Sequence, residues 1–374
     1  MNIRYALIGC GRIAPKHIMA ALAHKDSLQI AALCDIVPEN MEKLACVIPE
    51  RIRTQVKLYT DYQAMLKEIS PELCAIATES GKHTEIALDC INAGAHVIIE
   101  KPIALSLKDA DEIIDLGKAK NRLVCACHQN RFNIAIQHIR KAMEQGRFGK
   151  LSHGSVHVRW NRDKDYYAQA PWRGTWAQDG GALMNQSIHG IDLLRWMMGD
   201  NIDEVFAYTA NQFHPYLECE DVGIAVVKFK NGAIGTIEGT TNVFPQNLEE
   251  TLYIFGEKGT VKAGGKSVNR LDVWQFADIK PEDSGLSLGL HEETSNVYGN
   301  GHIPLYADMI DAIRFNRQPY VDGEAGWRAL ELVLALYRSA KDDKPVKLPM
   351  NDFSTMGLAG MQFKKVGNCE SPKP

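Results

Sequence analysis

Apolar and polar positions follow different patterns in the two parts of the chain. Up to about residue 130, short apolar runs alternate with segments of helical period. The runs lie at residues 5–10, 30–35, 56–58, 73–78, 96–101 and 123–128. Uninterrupted apolar strands that alternate with helices are typical of a parallel sheet covered by helices on both faces. The pattern predicts a doubly wound α/β domain over residues 1–128.

The pattern changes after residue 150, where apolar and polar positions alternate as in half-buried strands. Residues 221–241 predict a β-hairpin with Asn231-Gly232 at its turn. Further strands are predicted at 151–160, 251–256, 259–264 and 270–277, and helices at 182–198, 305–315 and 324–340. We therefore expect an α+β domain over residues 129–350, with a large, mostly antiparallel sheet and helices on one face. For the tail at 351–374 two interpretations stay open: a mobile segment, or one that packs on a partner subunit.

Composition and charge narrow the classes of function. Net charge is −4 and no basic run occurs, which argues against nucleic acid as the main partner. No apolar stretch approaches the ~18 residues of a membrane span. The N-terminus has no signal-peptide pattern, so a cytoplasmic location is expected. Several of the nine cysteines lie in apolar runs, and Cys125 and Cys127 lack zinc spacing, so we expect buried thiols and no metal site.

A glycine-rich turn follows the first predicted strand and opens a helix at residues 9–14. Gly9 permits the tight turn, Gly11 lets a pyrophosphate approach the backbone, and Ala14 allows the helix to pack closely. The N-terminus of the helix would face the phosphates. Asp35 ends the second strand, where a carboxylate accepts hydrogen bonds from ribose hydroxyls and repels a 2′-phosphate. This Rossmann fingerprint predicts NAD rather than NADP; the alternative is a glycine turn with an unrelated aspartate.

Lys101 ends the fifth predicted strand, at the edge of a parallel sheet where ligands bind. Partial burial and the positive ring of the cofactor should lower the pKa of this lysine. It could then donate a hydrogen bond to a reacting hydroxyl or join a proton relay. The alternative is a solvated surface lysine.

A second polar segment follows Gly180-Gly181. Asn185, His189 and Asp192 have the i, i+4, i+7 spacing that places side chains on one face of a helix. Histidine is the side chain most readily tuned to accept a hydroxyl proton near neutral pH. His189 is therefore the predicted base, and a hydrogen-bonded core histidine is the alternative.

These motifs together resemble the glucose–fructose oxidoreductase / inositol dehydrogenase family up to about Pro349. The shared features are GCGRIA, Asp35, His83, the EKP at residues 100–102 and GGALMNQSIHGIDLL. The resemblance implies that Lys101 and His189 flank the hydroxyl that is oxidised, with a Lys101–Pro102 bond that is often cis. The implied cofactor residues are Gly9, Gly11, Arg12, Ile13, Asp35, Thr78, His83, Glu100, Lys101 and Gln129. Asn185 departs from the inositol dehydrogenase pattern, which has an aspartate there.

Within the family, segments 128–133, 162–186, 255–269 and 295–302 are similar to UDP-N-acetylglucosaminuronate 3-dehydrogenases. This similarity implies oxidation of the sugar C3 hydroxyl in surface-polysaccharide biosynthesis, with 2-oxoglutarate as the final acceptor in some members. A substrate with a carboxylate and a diphosphate needs cationic partners, and arginine binds such anions bidentately. The predicted substrate residues are Lys101, Arg131, Arg162, Tyr166, Arg173, Asn185 and His189. The alternative for residues 162–176 is a solvated, aromatic-rich loop.

Three other functions stay open: a dehydrogenase of another sugar or inositol, an NAD-dependent glycosidase, and a non-catalytic nucleotide sensor. The presence of both Lys101 and His189 argues against the sensor, which needs no proton relay. The uncovered face of the second sheet needs a partner, and the resemblance implies a homotetramer built through it.

Overall fold

The computed structural model describes residues 2–281, 283–286, 290–293, 297–361 and 363. Its described residues form two compact units, one from Met1–His138 with Glu292–Leu330 and one from Ile139–His291 with Glu331–Pro374. The predicted domains are contiguous ranges, whereas the first unit also contains a segment from late in the chain. Residues 295 and 296, Cys369 and the end of the tail lie outside the described residues.

The first unit is built on a parallel sheet of six strands in the order β3-β2-β1-β4-β5-β6. The strands are β1 (Ile3–Ile8), β2 (Leu28–Cys34), β3 (Lys57–Tyr59), β4 (Leu73–Ile76), β5 (His96–Ile99) and β6 (Val124–Ala126). The helices are α1 (Ala14–Ala23), α2 (Pro38–Ala45), α3 (Glu50–Arg53), α4 (Tyr62–Ile69), α5 (His83–Asn92), α6 (Leu107–Lys120) and the start of α7 (Ile134–Glu144). This arrangement confirms the doubly wound prediction. The strand order reverses between β1 and β4, the place where such sheets bind ligands.

The late segment of the first unit packs on its first helix. Helix α11 (His302–Phe315) lies against α1, and the fully buried Ile18 and Met309 belong to the same apolar core as Leu7 of β1. Burying each such side chain contributes about 1.5–3 kcal/mol. The predicted helix at 305–315 is therefore confirmed, and its apolar side chains pack into the core beside the six-stranded parallel sheet.

The second unit holds a sheet of eight strands in the order β13-β12-β11-β7-β10-β9-β8-β14. The strands are β7 (Leu151–Arg159), β8 (Ile202–Ala210), β9 (Val222–Phe229), β10 (Ile234–Thr240), β11 (Glu249–Gly256), β12 (Gly259–Gly264), β13 (Arg270–Phe276) and β14 (Val346–Lys347). The helices are α8 (Lys164–Ala168), α9 (Ile188–Met198), α10 (Asp283–Leu286) and most of α12 (Gly323–Asp342). Neighbouring strands are antiparallel except β10 and β7, and the predicted hairpin of β9 and β10 is confirmed.

The two faces of this sheet differ in burial. Helix α9 is buried along its whole length and lies against β7, so closely that a Cβ on Gly190 would come within 2.6 Å of Val156. On the other face, large apolar side chains are exposed along neighbouring strands: Tyr208, Ile224, Val226 and Ile234. Contiguous exposed apolar patches mark interaction surfaces.

The first part of the tail packs on its own chain. Thr355 and Leu358 are buried, and the Thr355 hydroxyl donates a hydrogen bond to the Trp176 carbonyl at 2.6 Å. Residues 353–358 therefore pack on their own chain through Phe353, Thr355 and Leu358, and packing of the tail on a partner subunit stays a prediction. No helix in the described part of the chain is long and apolar enough to cross a membrane.

Candidate active site

The glycine-rich turn between β1 and α1 has the geometry that a dinucleotide needs. Gly9 has φ +92°, and a Cβ there would lie 2.5 Å from the Ala77 backbone, so only glycine fits. At Gly11 a Cβ would meet no described protein atom within 4 Å, so the backbone there is open to a ligand. Among the described residues, no side chain caps the N-terminus of α1. Its N–H groups and dipole can therefore serve a pyrophosphate.

Asp35 joins the glycine turn to the end of β2. Its Oδ2 accepts a hydrogen bond from the Cys10 N–H at 2.7 Å, and Oδ1 accepts one from Val37 at 2.8 Å. Oδ1 also accepts a longer hydrogen bond from Asn40 Nδ2 at 3.3 Å, whereas Oδ2 has capacity for a further donor. The partly exposed carboxylate therefore fits ribose hydroxyls, and its charge opposes a 2′-phosphate.

Lys101 lies two residues after the end of β5 and is half-buried. Its backbone N–H donates to Glu100 Oε2 at 3.2 Å, and the Lys101–Pro102 bond is cis, as the resemblance implies. His83 lies with Nδ1 2.8 Å from the Pro102 carbonyl and Nε2 3.2 Å from the Thr78 carbonyl. Burial lowers the pKa of His83. Both His83 and Glu100 therefore brace the loops that follow β4 and β5, and their direct contact with the cofactor stays a prediction.

Four side-chain atoms that could each bind a metal ion lie within 4.8 Å of one another; they belong to His17, Glu100, Cys127 and His302. From the sequence we expected no metal site, since Cys125 and Cys127 lack zinc spacing; the four residues grouped here are far apart in the chain. Gln129 and Arg131 lie nearby in sequence, on a buried 3₁₀ turn at Gln129–Phe132. Arg12 and Ile13 lie on the glycine turn itself.

In the second unit, the Gly180-Gly181 turn leads into a π-helical segment at Ala182–Gln186. The Ser187 N–H donates to the Ala182 carbonyl at 2.9 Å, the i→i+5 bond of a π-turn. Helix α9 begins only at Ile188. The predicted helical segment over 182–198 is therefore confirmed as an α-helix only from Ile188, and Asn185 on the π-turn does not share a continuous α-helical face with His189 and Asp192. His189 lies in the first turn of α9 and is buried.

The buried carboxyl of Glu220 forms hydrogen bonds that hold this turn. Glu220 Oε1 accepts hydrogen bonds from the Leu183 N–H at 2.8 Å and the Tyr337 hydroxyl at 2.9 Å. The same hydroxyl accepts the N–H groups of Gly181 and Met184, both at 3.2 Å. A Cβ on Gly181 would collide with the Glu220 carboxyl, which explains the glycine. Burial raises the pKa of Glu220 to about 8.

Four predicted substrate residues form one hydrogen-bonded network in the second unit. Gln186 Nε2 donates to the Tyr166 hydroxyl at 3.0 Å and to Asn185 Oδ1 at 2.7 Å, and its Oε1 accepts from Arg162 Nε at 2.9 Å. Arg173 Nη1 donates to the same Tyr166 hydroxyl at 2.7 Å. Both guanidinium groups lie over the Tyr166 ring, at 5.0 and 4.5 Å from its centre. The loop is therefore joined to the Asn185–Gln186 segment by hydrogen bonds, with Arg162 itself buried, and its contact with a substrate stays a prediction.

Two members of this network were not predicted from the sequence. Gln186 joins the two arginines to Asn185, and the buried Asp179 accepts hydrogen bonds from the Gly174 N–H and from the Asn185 amide. Both residues lie in the DGGALMNQ segment already singled out. Both are polar residues close to the glycine pair in the sequence. Because buried polar groups are nearly always hydrogen-bonded, these two residues could have been predicted as members of such a network.

Comparison with known proteins places the chain in a family. The oxidoreductase family model of the NAD-binding Rossmann fold matches residues 3–128, and the GFO/IDH/MocA C-terminal domain matches residues 136–262. The WlbA dehydrogenase from Bordetella pertussis, solved in complex with NADH and UDP-GlcNAcA, is 36% identical with a TM-score of 0.84, over 94% of this chain and 98% of that one.

Two other relatives are more distant in sequence. Myo-inositol 2-dehydrogenase of Thermotoga maritima is 25% identical over 92% of this chain and 98% of its own length. D-glucoside 3-dehydrogenase of Escherichia coli is 24% identical over 92% and 97%.

The doubly wound sheet, its glycine turn and Asp35 define the chain as a dinucleotide-binding protein whose cofactor is NAD. More particularly, the chain belongs to the GFO/IDH/MocA family of oxidoreductases. It is an NAD-dependent dehydrogenase of that family.

Proposed function

We propose that this chain oxidises the C3 hydroxyl of a UDP-linked N-acetylated sugar acid, such as UDP-N-acetylglucosaminuronate, to a ketone. The observation that carries the proposal is the network around Tyr166, which joins two guanidinium groups and two amides in one hydrogen-bonded cluster. Cationic and amide groups are what a substrate with a carboxylate, a diphosphate and an acetamido group needs. The likeness to a dehydrogenase solved with UDP-GlcNAcA supports the same substrate class.

Each residue has a defined task in this proposal. NAD⁺, when bound, accepts the hydride from the sugar carbon. His189 accepts the hydroxyl proton, and Lys101 orients the hydroxyl by donating a hydrogen bond. Asn185 cannot exchange a proton at neutral pH, so it holds the sugar ring and leaves the role of base to His189. The hydrogen bond from its amide to Asp179 fixes which way the amide points.

The test is a reaction of the purified protein with UDP-N-acetylglucosaminuronate, followed by NADH absorbance and product mass. We expect a product two hydrogens lighter than the substrate. A requirement for 2-oxoglutarate would identify a tightly held, recycled cofactor. Lys101→Ala and His189→Asn should each lower kcat by about 10²-fold or more with NADH affinity retained, whereas Lys120→Ala, at an exposed helical lysine, should not. Full activity in either site variant would contradict the assigned roles.

A dehydrogenase of a free sugar, inositol or glycoside is the second candidate, favoured by relatives that match over nine-tenths of the chain. If the UDP-linked substrate gives no reaction although NADH binds, a panel of inositols, free sugars and glycosides follows. Hydrolysis of a glycoside with no net change in NADH would instead indicate the NAD-dependent glycosidase.

We also propose that the exposed apolar face of the second sheet is covered in a homotetramer. Ile224, Val226 and Ile234 are each more than half exposed on neighbouring strands. Single exposed apolar side chains are common on protein surfaces, but several side by side form a patch. Pairing with another copy of the chain would remove this patch from water.

A further inference from the structure

A buried polar cluster lies directly behind Lys101 in the first unit. His17 Nε2 lies 3.0 Å and His302 Nε2 3.4 Å from the same oxygen of Glu100, Oε1. On the far side of His17, Nδ1 lies 2.7 Å from the Tyr306 hydroxyl, which lies 2.9 Å from the Tyr5 hydroxyl. All five side chains are buried. The cluster therefore joins helix α1, the end of β5 and helix α11.

The cluster keeps Glu100 ionised in apolar surroundings. Burial alone would raise the pKa of this carboxyl, but the hydrogen bonds from His17 and His302 outweigh burial and hold the pKa well below its ordinary value. Burial lowers the pKa of His302, so this imidazole is a neutral donor. With a proton on Nε2, His17 donates to Glu100 while its Nδ1 accepts from Tyr306. Every hydrogen-bonded pair of side chains in the cluster then has one donor and one acceptor.

The carboxylate held in this way fixes the backbone of Lys101. Glu100 Oε2 accepts the Lys101 N–H, and the Glu100 N–H donates to the Ile76 carbonyl of β4 at 2.9 Å. One residue further on, the Pro102 carbonyl lies 2.8 Å from His83. The peptide N–H of Lys101 and the carbonyl of the next residue, Pro102, are therefore both held by buried partners, which restrains the backbone that carries the lysine side chain.

We infer that His17 and His302 are positioning residues for Lys101, acting through the Glu100 carboxylate. The inference rests on the proposed function only in taking Lys101 as the group that orients the hydroxyl. Neither imidazole needs to contact the substrate. Displacing a reacting group by about 1 Å costs on the order of 10²-fold in rate, so loss of either donor should reach the chemical step.

Paired variants of similar size separate this role from simple packing. Glutamine places an amide N–H close to the position of the histidine Nε2, whereas leucine fills the space without a donor. We expect His17→Leu and His302→Leu to lower kcat by about 10- to 100-fold with NADH affinity changed less than about threefold. His17→Gln and His302→Gln should recover most of the loss. Tyr5→Phe, which removes a buried hydroxyl that does not contact Glu100, should lower Tm without this loss of kcat.

A second readout does not depend on the substrate. Acetylation of Lys101 by acetic anhydride, measured by peptide mass spectrometry against the exposed Lys120 of the same sample, reports how firmly the lysine is held. The rate should rise severalfold in the leucine variants and return in the glutamine variants. If the leucine variants fold and show wild-type kcat and wild-type acetylation, the inference fails.

The outcomes also distinguish this inference from the proposed function. A fully active Lys101→Ala variant would refute the catalytic role of the lysine, whatever the histidine variants do. An inactive Lys101→Ala variant beside fully active leucine variants would refute only the positioning role. The same four donor atoms could hold a transition metal, so the metal content of the purified protein is measured as well. One bound metal ion per chain, lost in the leucine variants, would overturn the hydrogen-bonded arrangement.

Discussion

The carboxyl of Glu220 should make the stability of the second unit fall as the pH rises through neutrality. Burial raises its pKa to about 8, from an ordinary value of 4.5. The folded protein therefore holds a proton that the unfolded chain has already released above pH 4.5. Stability gained from the neutral acid is complete below about pH 4.5 and is lost progressively up to about pH 8. Above that, both states are ionised and the dependence ends.

The size of the effect follows from the two pKa values. Each unit of difference corresponds to about 1.4 kcal/mol, so the loss between pH 4.5 and 8 amounts to about 5 kcal/mol. Glu220→Gln replaces the acid with a neutral amide that cannot ionise. No described group forms a hydrogen bond with Oε2 of Glu220. The amide that takes this place has two N–H groups where the neutral acid has one O–H, and the additional buried N–H without an acceptor costs about 1–3 kcal/mol at acid pH. The variant should thus be less stable than wild type at pH 5 and more stable at pH 8, with a crossing near pH 6.

Urea unfolding from pH 5 to 9, followed by tryptophan fluorescence, measures this difference. Trp176 packs edge-on against Tyr337, 5.3 Å between ring centres, and so reports on the same region. Tyr337→Phe is the matched control, since it removes a hydrogen bond to the carboxyl but keeps the acid, so its pH dependence should persist. A difference between wild type and Glu220→Gln that is the same at every pH would refute the reasoning.

Three further changes have defined outcomes. Gly9→Ala should cost at least about 2 kcal/mol and abolish NAD binding, because of its φ of +92° and the 2.5 Å approach to Ala77; unchanged Tm and NADH titration would contradict the turn geometry. Asp35→Ser should weaken NAD⁺ binding and admit NADP⁺, lowering the preference by about 10-fold or more through loss of one charge and its hydrogen bonds; an unchanged ratio of kcat/KM for the two cofactors would rule this role out. Ile224→Lys with Val226→Lys should reduce the oligomer mass in light scattering, and a wild-type monomer would refute the tetramer itself.

Regular periodicity explains which parts of the fold the sequence could predict. The apolar runs of β1 and β5, the glycine turn and the Asn231-Gly232 hairpin each depend on neighbours in the chain, and the structure confirms them. The return of residues 292–330 to the first unit depends on α11 meeting α1, nearly 300 residues away. No local pattern encodes that meeting.

The site was harder to predict than the fold for a related reason. A helical wheel assumes 3.6 residues per turn throughout, but the segment that carries Asn185 is a π-turn with an i→i+5 bond. The cause lies elsewhere in the chain, in the Glu220 carboxyl and the Tyr337 hydroxyl that take the N–H groups of the turn. The sequence indicated Lys101, Arg162, Tyr166 and Asn185 as candidate site residues from their residue types and spacing. The buried partners that bind them, such as Glu100 and Asp179, could not be identified in this way.

Glu100 and Glu220 show how the neighbouring groups decide the charge of a buried carboxyl. Each supports a loop that carries predicted site residues, and each is almost completely buried. Glu100 receives two imidazole hydrogen bonds and a backbone N–H, enough to keep it ionised, so its pKa lies well below neutrality. For Glu220, burial outweighs the hydrogen bonds from the Leu183 N–H and the Tyr337 hydroxyl, and the neighbouring Asp221 carboxylate adds to burial, so its pKa rises to about 8. In the proposed site, an ionised Glu100 would favour the cation of Lys101 and the positive cofactor ring, whereas a neutral Glu220 adds no negative charge near residues proposed to bind an anionic substrate. The same residue type therefore serves two loops with opposite electrostatic needs, and the difference lies entirely in the partners that the fold supplies.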